Sequence, residues 1–184
     1  MRYRVEDNTL IVEGKFDALS SGLKGGWKKV SSIFNHTVSD DFLDSDPVHY
    51  LETVAKRLGL KNYFGLLTSV PMEKLAIVKK DEVTAFVTAG VKNPNEVIGT
   101  INIILIIDAE PSDGAMVNTI ITATEAKSHA LLEMGYGFTG TNTDAAVVAR
   151  TGGRYYEYAG PASDLGSKIW YCVKRGVLKS LSKW

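Results

Sequence analysis

Asn118-Thr-Ile-Ile-Thr-Ala-Thr-Glu-Ala-Lys-Ser-His129 forms the middle of a long predicted helix around which the rest of the chain is organised. The helix is expected to run from about Ser112 to Met134. Ser112 can cap its first turn, and Gly135 follows the last residue of the periodic pattern. These end signals predict one uninterrupted helix whose faces can be compared.

The two faces of this helix differ in polarity. At about 100° per residue, Asn118, Thr122, Glu125 and His129 fall on one polar stripe. Lys127 lies in the middle of the opposite, apolar face, where an ammonium group must snorkel, find a partner or lose its hydration at a large cost. Polar stripes are often only the solvated side of a helix, and such lysines often pair for structural reasons. Lys127 is still the first indication of a functional site.

The composition predicts one globular domain. With 184 residues, the chain is long enough to bury a core without disulfides or metals. Basic and acidic residues number 21 each, so the net charge favours neither nucleic acid nor a membrane surface as a partner. We therefore expect a ligand to be recognised by a local site, in a monomer or a homo-oligomer.

Cysteine content and the apolar segments predict a cytoplasmic protein. Cys172 is the only cysteine, which excludes an internal disulfide, and its apolar helical surroundings indicate an inert buried thiol. Residues 1–7 lack the apolar core of a signal peptide. The apolar run Ile101–Ile107 is too short to span a bilayer, so no membrane insertion is expected.

The pattern of short β-rich segments and amphipathic stretches predicts an α+β fold. We expect a single domain, 1–184, with a largely antiparallel or mixed sheet covered by about three helices. Ile101–Asp108 is nearly continuously apolar, which is typical of a central strand covered on both faces. The remaining predicted elements are a hairpin of Arg2–Val5 and Thr9–Glu13, a strand Val30–Val38, a β-meander of Tyr63–Val70, Leu75–Lys79 and Val83–Val91, a strand Ala145–Ala149, and helices at 47–58 and 164–182.

Three loops carry polar or small residues. Leu19–Trp27 can hold an anionic or amide group with its backbone N–H groups, or serve as an ordinary turn. Ser39–Pro47 contains four acids, which favour the positive end of the following helix; a calcium site is conceivable, although the spacing is not that of an EF-hand. Gly135–Asp144 is rich in glycine and hydroxyl groups, and it places the Asp144 carboxylate at the mouth of a strand, facing a cleft.

A series of short motifs runs through most of the chain. They are Gly25-Gly26, Asn35-His-Thr-Val38, Gly65-Leu-Leu-Thr-Ser69, Gly99-Thr-Ile-Asn102, Thr124-Glu-Ala-Lys127, Gly140-Thr-Asn-Thr-Asp-Ala145 and the turn from Gly160 to Gly166. From about Ser20 to the last helix, their order and spacing resemble the adenosylcobinamide amidohydrolases, a family that salvages corrinoids. The N-terminal hairpin, 1–18, lies outside this resemblance.

The resemblance implies a reaction and a substrate. The expected activity is hydrolysis of the amide joining aminopropanol to the corrin ring of adenosylcobinamide, giving adenosylcobyric acid, in cobinamide salvage for cobalamin biosynthesis. The corrinoid with its cobalt is the substrate, and no further cofactor is expected. Two positions depart from the family pattern: Lys24 replaces the first residue of a glycine triplet, and Asn142 replaces a small residue in a turn that asparagine also tolerates.

Hydrolysis of an amide requires a nucleophile, stabilisation of the oxyanion and a proton for the leaving amine. Glu125 is a candidate to deprotonate water, Lys127 with Asp144 to stabilise charge or relay a proton, and Thr143 to orient water or to attack. However, Glu125 and Lys127 lie about 200° apart on an ideal helix. They can share one pocket only if the helix end is irregular or if subunits share sites.

Further residues suit substrate binding rather than catalysis, because amide and hydroxyl groups can hold a carbonyl or the peripheral amides of a corrin. The candidates are Gly25, Gly26, Asn35, Thr100, Asn102, Thr141 and Asp164. No catalytic metal is expected, because Glu125 and His129, one helical turn apart, are weak evidence for a site. The pattern of a serine nucleophile elbow is absent as well.

Two other classes of protein stay open at this point. The same asparagines and threonines suit a corrinoid-binding protein without catalysis, although the Asp-x-His-x-x-Gly pattern of corrinoid carriers is missing. An interaction domain is the other possibility, with the polar stripe and the basic last helix as plain surface. Product formation from adenosylcobinamide separates the first alternative from the enzyme.

Overall fold

The computed structural model describes residues 1–39, 42, 45–91 and 99–184. Asp40, Asp41 and Asp44, three of the four acids in the predicted acidic loop, lie outside these ranges, and so does any cation site built on them. The fourth acid, Asp46, caps a helix: its side chain accepts a hydrogen bond of 2.8 Å from the backbone N–H of His49. This confirms that an acid favours the start of that helix.

The described elements follow the predicted sequence of strands and helices. The helices are α1 (Pro47–Arg57), α2 (Asp113–Glu133) and α3 (Asp164–Leu181), with a short 3-10 helix at Met72–Lys74. The strands are β1 (Arg2–Glu6), β2 (Thr9–Ser20), β3 (Gly26–Thr37), β4 (Tyr63–Thr68), β5 (Ala76–Lys80), β6 (Val83–Gly90), β7 (Thr100–Ile107), β8 (Glu110–Pro111), β9 (Ala145–Arg150) and β10 (Tyr155–Tyr156). The helices in the described ranges are not long and apolar enough to cross a bilayer.

One mixed sheet organises the molecule, in the order β4-β3-β2-β9-β7-β6-β5, with β1 beside β2. β3 pairs in parallel with β4, and β7 in parallel with β9, whereas the other neighbours in this sheet are antiparallel. All eight residues of β7 are buried, which confirms the prediction of a central strand covered on both faces. The α+β class with a mixed sheet and three helices is therefore confirmed.

The predicted meander is correct for only two of its three strands. β5 and β6 form an antiparallel hairpin that continues into β7, but β4 lies at the other edge of the sheet, parallel to β3. The reason is the connection: α1 stands between β3 and β4, and a helical crossover returns the chain in the same direction. The helix before β4 was the signal for this pairing.

The sheet is curved, which gives it an inner and an outer face. The inner face packs side chains from both halves of the sheet against one another, including Phe16, Phe64, Phe86 and Ile104. On the outer face, α2 and α3 cover β5, β6, β7 and β9, while α1 covers β2 and β3. This curvature brings the end of β4 over the start of β7, where the Asn102 amide nitrogen donates to the Leu67 carbonyl oxygen at 2.8 Å.

Helix α2 has the predicted ends but not the predicted polar stripe. The Ser112 side chain accepts from the N–H of Ala115 at 3.0 Å, and Gly135 has a φ of 85°. Thr122 is buried and donates to the Ala159 carbonyl, whereas Glu125 and His129 are exposed. The four polar residues therefore do not form one functional surface, because the turn around Ala159 covers part of the stripe.

Candidate active site

The floor of the site is built by the parallel strands β7 and β9. Their side chains on the inner face of the sheet stand side by side in successive layers. From the interior outward, the facing pairs are Ile106 and Ala149, Ile104 and Val147, Asn102 and Ala145, and Thr100 and Thr143. The last pair carries two hydroxyl oxygens that lie 3.0 Å apart. The surface between the two strands thus changes from apolar to hydrogen-bonding at the start of both strands.

Asp144 stands beside this hydroxyl pair and accepts four hydrogen bonds. Its Oδ1 accepts from the N–H of Ile101 at 2.9 Å and from the Thr141 hydroxyl at 2.6 Å. Its Oδ2 accepts from the N–H of Thr141 at 3.1 Å and from the Lys127 ammonium at 2.6 Å. A carboxylate has about four acceptor positions, and here all are used. Asp144 therefore braces the loop and holds the lysine at the same time.

Lys127 is a buried cation with one buried counter-ion. The side chains of Lys127 and Asp144 are only 11% and 14% exposed. Gly140 packs directly against the pair: a Cβ added there would fall 2.5 Å from Lys127 Nζ and 2.6 Å from Asp144 Oδ2. Any side chain at this position would have to displace the ion pair, which accounts for the glycine at the start of the Gly140–Ala145 motif.

A cavity of about 710 Å³ opens over the hydroxyl pair and Asp144. One wall is the loop between β2 and β3, a second is the end of β4, and a third is the approach to α1. The lining residues are Ser21, Gly22, Leu23, Val38, Ser39, Phe42, Pro47, Leu66, Leu67, Thr68, Ser69, Thr100, Asn142, Thr143, Asp144 and Ala145. The volume is in the range of small-molecule sites, about 300–1,000 Å³.

A buried polar network lies directly beneath this cavity. Asn35 of β3 donates to the Thr88 hydroxyl at 2.8 Å, and Asn102 donates to the Asn35 carbonyl oxygen at 2.8 Å and to Leu67 O. All three side chains of the network are buried on the inner face. Asn35 and Asn102 therefore lie just beneath the floor of the cavity and are not among the residues that line it.

The loop between β2 and β3 forms the cavity wall with residues other than the predicted ones. β2 extends to Ser20 and β3 begins at Gly26, so the loop is 21–25. Ser21 and Gly22 line the cavity, and the Ser21 hydroxyl accepts from the N–H of Ala146 at 3.0 Å. Gly25 shapes the turn instead, because a Cβ there would lie 2.4 Å from the Ser20 carbonyl oxygen.

Lys24 occupies a backbone position that suits glycine. Its φ is 51°, in the left-handed region, which explains the glycine expected there from the family pattern. The Lys24 ammonium pairs with Glu52 of α1 at 2.5 Å, and both side chains are half-exposed. This contact ties the loop to α1 and preserves the turn despite the substitution.

Two predicted site residues lie away from the cavity within one chain. Glu125 is exposed, on the side of α2 opposite Lys127. Asp164, the first residue of α3, lies near the other end of β7, where it pairs with Lys168 at 3.0 Å and Arg154 at 3.2 Å. The eight residues of β7 separate that end from Thr100 by roughly 23 Å. By contrast, Thr100, Thr143 and Asp144 line the cavity. Lys127 and Thr141 lie behind them, in hydrogen bonds to Asp144.

Sequence reasoning overlooked the wall contributed by β4. Leu66, Leu67, Thr68 and Ser69 line the cavity, yet none was proposed as a site residue. The signal was present in the Gly65–Ser69 motif, which contributed only to the resemblance. Gly65 itself packs against Phe34, with a hypothetical Cβ 2.4 Å from that ring, so the motif also fixes how closely β4 approaches its neighbours.

Two reactive residue types are buried outside the cavity lining. Burial lowers the pKa of His36 to about 4, helped by the charge of Arg57, and its Nδ1 lies 2.6 Å from the Thr9 hydroxyl. Burial raises the pKa of the Cys172 thiol to about 11. Neither group lines the cavity. The thiol is thus buried and protonated at neutral pH, as its apolar surroundings predicted.

The fold and the site together define an α+β protein with a small-molecule cavity, whose polar end is backed by a buried lysine–carboxylate pair. A family model described as adenosylcobinamide amidohydrolase matches residues 2–184. The chain therefore belongs to the adenosylcobinamide amidohydrolase family and is an amidohydrolase. The matched region includes the N-terminal hairpin.

Individual relatives agree with this assignment. An adenosylcobinamide amidohydrolase of Methanosarcina mazei is 43% identical over 195 aligned residues, covering 98% of each chain. An adenosylcobinamide amidohydrolase of Halobacterium salinarum is 32% identical, covering 89% of this chain and 79% of that protein. The crystal structure of the PH0078 protein from Pyrococcus horikoshii covers 98% of this chain and 79% of its own, with a TM-score of 0.50 at 12% identity. That last likeness concerns the fold alone.

Proposed function

We propose that this protein hydrolyses the amide bond between aminopropanol and the corrin ring of adenosylcobinamide, releasing adenosylcobyric acid. The proposed setting is cytoplasmic salvage of cobinamide for cobalamin biosynthesis. Family membership supports the substrate, and the names of two relatives carry the same substrate. The structural observation that carries the proposal is the hydroxyl pair of Thr100 and Thr143 beside the Lys127–Asp144 ion pair, at the polar end of the cavity.

The size of the cavity supports entry of one arm of the substrate. About 710 Å³ suits a drug-sized ligand, and a corrin with its adenosyl group is larger. In our proposal, the aminopropanol arm enters the cavity and the corrin remains at the opening. Leu23, Phe42 and Pro47 line the cavity and offer apolar surface to the ring edge. In this proposed binding mode, the scissile amide at the base of the arm lies within the cavity.

The chemistry needs water to add to the carbonyl carbon and the carbon–nitrogen bond to break, and the proton that the water gives up ends on the departing amine. In our proposal, the hydroxyls of Thr100 and Thr143 contact the reacting carbonyl and orient the water. Lys127 supplies positive charge near the oxyanion that forms, an effect of roughly 10²–10³-fold in other hydrolases. Asp144 acts through Lys127 and the loop, because its four acceptor positions are already used.

One incubation tests the reaction. Purified protein is mixed with adenosylcobinamide, and adenosylcobyric acid and aminopropanol are measured by mass spectrometry. We expect the two products in equal amounts. Failure to form product, with a rise in melting temperature on adding the corrinoid, would identify a binding protein without catalysis.

The same incubation with EDTA tests the requirement for a metal. We expect turnover to be unchanged, because the described residues hold no group of three or more histidine, cysteine, aspartate or glutamate side chains placed to bind an ion. Loss of turnover that zinc or manganese restores would contradict this and assign the water activation to a metal.

A further inference from the structure

One buried polar atom beneath the cavity is an acceptor without a donor. Asn102 is 1% exposed, and its Oδ1 accepts no hydrogen bond from the described residues. Its orientation is fixed by the other half of the amide, because Nδ2 donates to Asn35 Oδ1 and to Leu67 O, both at 2.8 Å. Since those neighbours are acceptors, exchanging the oxygen and nitrogen would place oxygen against oxygen. Buried carbonyl oxygens are normally paired, so this one suits an additional donor.

The neighbours of Asn102 place it directly beneath the cavity. Three of them line the cavity: Thr100 two residues earlier on the same face, Ala145 beside it on β9, and Leu67, whose carbonyl it contacts. In the next layer inward, Val147 fills the corresponding position beside Ile104. Ala145 lines the cavity and is smaller than Val147, whereas Asn102 lies just beneath the lining. The shortest approach from the cavity to the amide oxygen is therefore past Ala145.

We propose that Asn102 Oδ1 accepts a hydrogen bond from the hydroxyl of the aminopropanol arm, which makes Asn102 a specificity-determining residue. This inference rests on the proposed function, because it takes its ligand from that reaction. The hydroxyl is at the tip of the arm, and it is a donor on an otherwise apolar group of three carbons. A corrinoid amide without this hydroxyl would leave the buried oxygen unpaired.

The dimensions of the arm agree with the layers of the floor. The layers of Asn102 and Thr100 are about 6.6 Å apart along the strand. A hydrogen bond spans about 2.8 Å, and the oxygen and nitrogen of a 1,2-amino alcohol are separated by roughly 3–4 Å. A hydroxyl bound at Asn102 therefore brings the scissile amide level with Thr100 and Thr143. One contact at the floor thus sets the position of the reacting carbonyl.

The experiment compares two substrates in the wild-type protein. One is adenosylcobinamide, and the other is the matched corrinoid amide of propylamine, which lacks only the hydroxyl. We expect kcat/KM to favour the hydroxyl substrate by roughly 10- to 100-fold, the scale of leaving a buried acceptor unpaired. Equal values would overturn the role of Asn102 while leaving the proposed function intact. No product from either substrate would instead be a failure of the proposed function.

Variants assign the preference to Asn102. In Asn102→Ala, the ratio of the two kcat/KM values should fall to within about 3-fold, whatever the absolute activity. Asn35→Ala is the matched control, because it breaks the same Asn35–Asn102 bond from the other side and leaves Oδ1 in place; its ratio should match the wild type. A preserved ratio in Asn102→Ala would overturn the assignment.

A second variant avoids any dependence on the stability of Asn102→Ala. Ala145→Val places beside Asn102 the larger side chain that β9 already uses one layer deeper, and it leaves the hydrogen bonds of Asn102 untouched. We expect the hydroxyl substrate to lose its advantage in this variant. A full preference for the hydroxyl in Ala145→Val would show that the arm does not reach Asn102.

Discussion

The two ends of β7 carry similar ion pairs in different settings. At the start of β7, Lys127 of α2 lies 2.6 Å from Asp144, with side chains 11% and 14% exposed. At the end of β7, Lys168 of α3 lies 3.0 Å from Glu82, with side chains 12% and 17% exposed. Burial and charge therefore do not distinguish the two pairs. What differs is the neighbourhood: the first borders the cavity and a hydroxyl pair, whereas the second is covered by Tyr156.

The second pair has the properties of a structural brace. Burial alone would lower the pKa of Lys168, but its hydrogen bonds to Asp164 and Glu82 raise it above the ordinary value. Burial alone would raise the pKa of Glu82, and the hydrogen bonds from Tyr156 and Lys168 lower it instead. Each member thus stabilises the charge of the other. A buried lysine in an apolar helix face therefore marks a site only when open space adjoins it.

The largest expected effect is a difference in turnover between variants of the two lysines. Lys127→Met should reduce hydrolysis of adenosylcobinamide by roughly 10³-fold, because the charge near the developing oxyanion is lost. Lys168→Met removes the same charge about one strand length away, and it should leave kcat/KM within about 3-fold. Steady-state assays on both folded variants check this. Equal losses of kcat/KM in the two variants would contradict a special role of Lys127 and would mean that both losses arise from destabilised folds.

The second prediction concerns substitution of the acidic residue in each ion pair. In Asp144→Asn, the new NH2 group faces donors whichever way the amide turns, because each oxygen accepts from two donors. We expect a loss of about 3 kcal/mol in the free energy of unfolding, the usual scale for disrupting a buried ion pair.

The matched variant at the other pair is Glu82→Gln. The amide oxygen introduced by this substitution would still accept from the Tyr156 hydroxyl and from Lys168. Only the longer contact of 3.3 Å from Lys168 to the other oxygen would be lost, so the destabilisation should be smaller. Urea titrations of both variants measure the difference. If the Asp144→Asn variant is more stable than the Glu82→Gln variant, the four hydrogen bonds to Asp144 contribute little to the free energy of unfolding.

The third prediction takes a buried titratable group that belongs to neither pair. The folded pKa of His36 is lowered to about 4, against an ordinary value of 6.5, so the unfolded chain binds the proton more tightly. Stability is therefore present above pH 6.5 and is lost as the pH falls toward 4. Between pH 7 and pH 5 this amounts to about 2 kcal/mol.

A control variant isolates the contribution of His36. Asp17 and Glu82 have lowered pKa values and titrate below this pH range, so they do not obscure it. His36→Gln, which lacks the titration, should lose about 2 kcal/mol less between pH 7 and pH 5. Chemical denaturation at both pH values checks this. If His36→Gln loses as much stability as the wild type between pH 7 and pH 5, the acid sensitivity arises from another group.

The fold was predictable where one local signal decided each element. Ser112 and Gly135 defined α2, and the apolar run of β7 indicated a strand covered on both faces. The position of β4 was not predicted, because strand pairing depends on the connection through α1 rather than on the strand itself. Periodicity describes one element at a time, so it cannot show that the sheet curves and places β4 over β7.

The part of the site that lies on loops and at strand ends was predictable from the sequence. Lys127 and Asp144 were singled out from sequence as an unusual lysine and a carboxylate at a strand mouth, and the structure joins them directly. The roles of Gly22 and Leu67 were not visible, because they contribute backbone and wall rather than reactive groups. The pairing of Asn102 with Asn35 was also hidden, since it joins strands 67 residues apart in sequence.

The smallest expected effect is at Glu125, which lies on the same helix as Lys127 and can be compared with it directly. They are two positions apart in sequence, yet about 200° of rotation places Glu125 in solvent while Lys127 is buried. Glu125→Gln should therefore leave kcat/KM within about 2-fold and the free energy of unfolding within about 0.5 kcal/mol, as for most exposed substitutions. A loss near that of Lys127→Met would contradict a site built from one chain. It would mean that Glu125 reaches the cavity of a second copy, and mixing Glu125→Gln with Lys127→Met would then restore part of the activity through hybrid sites.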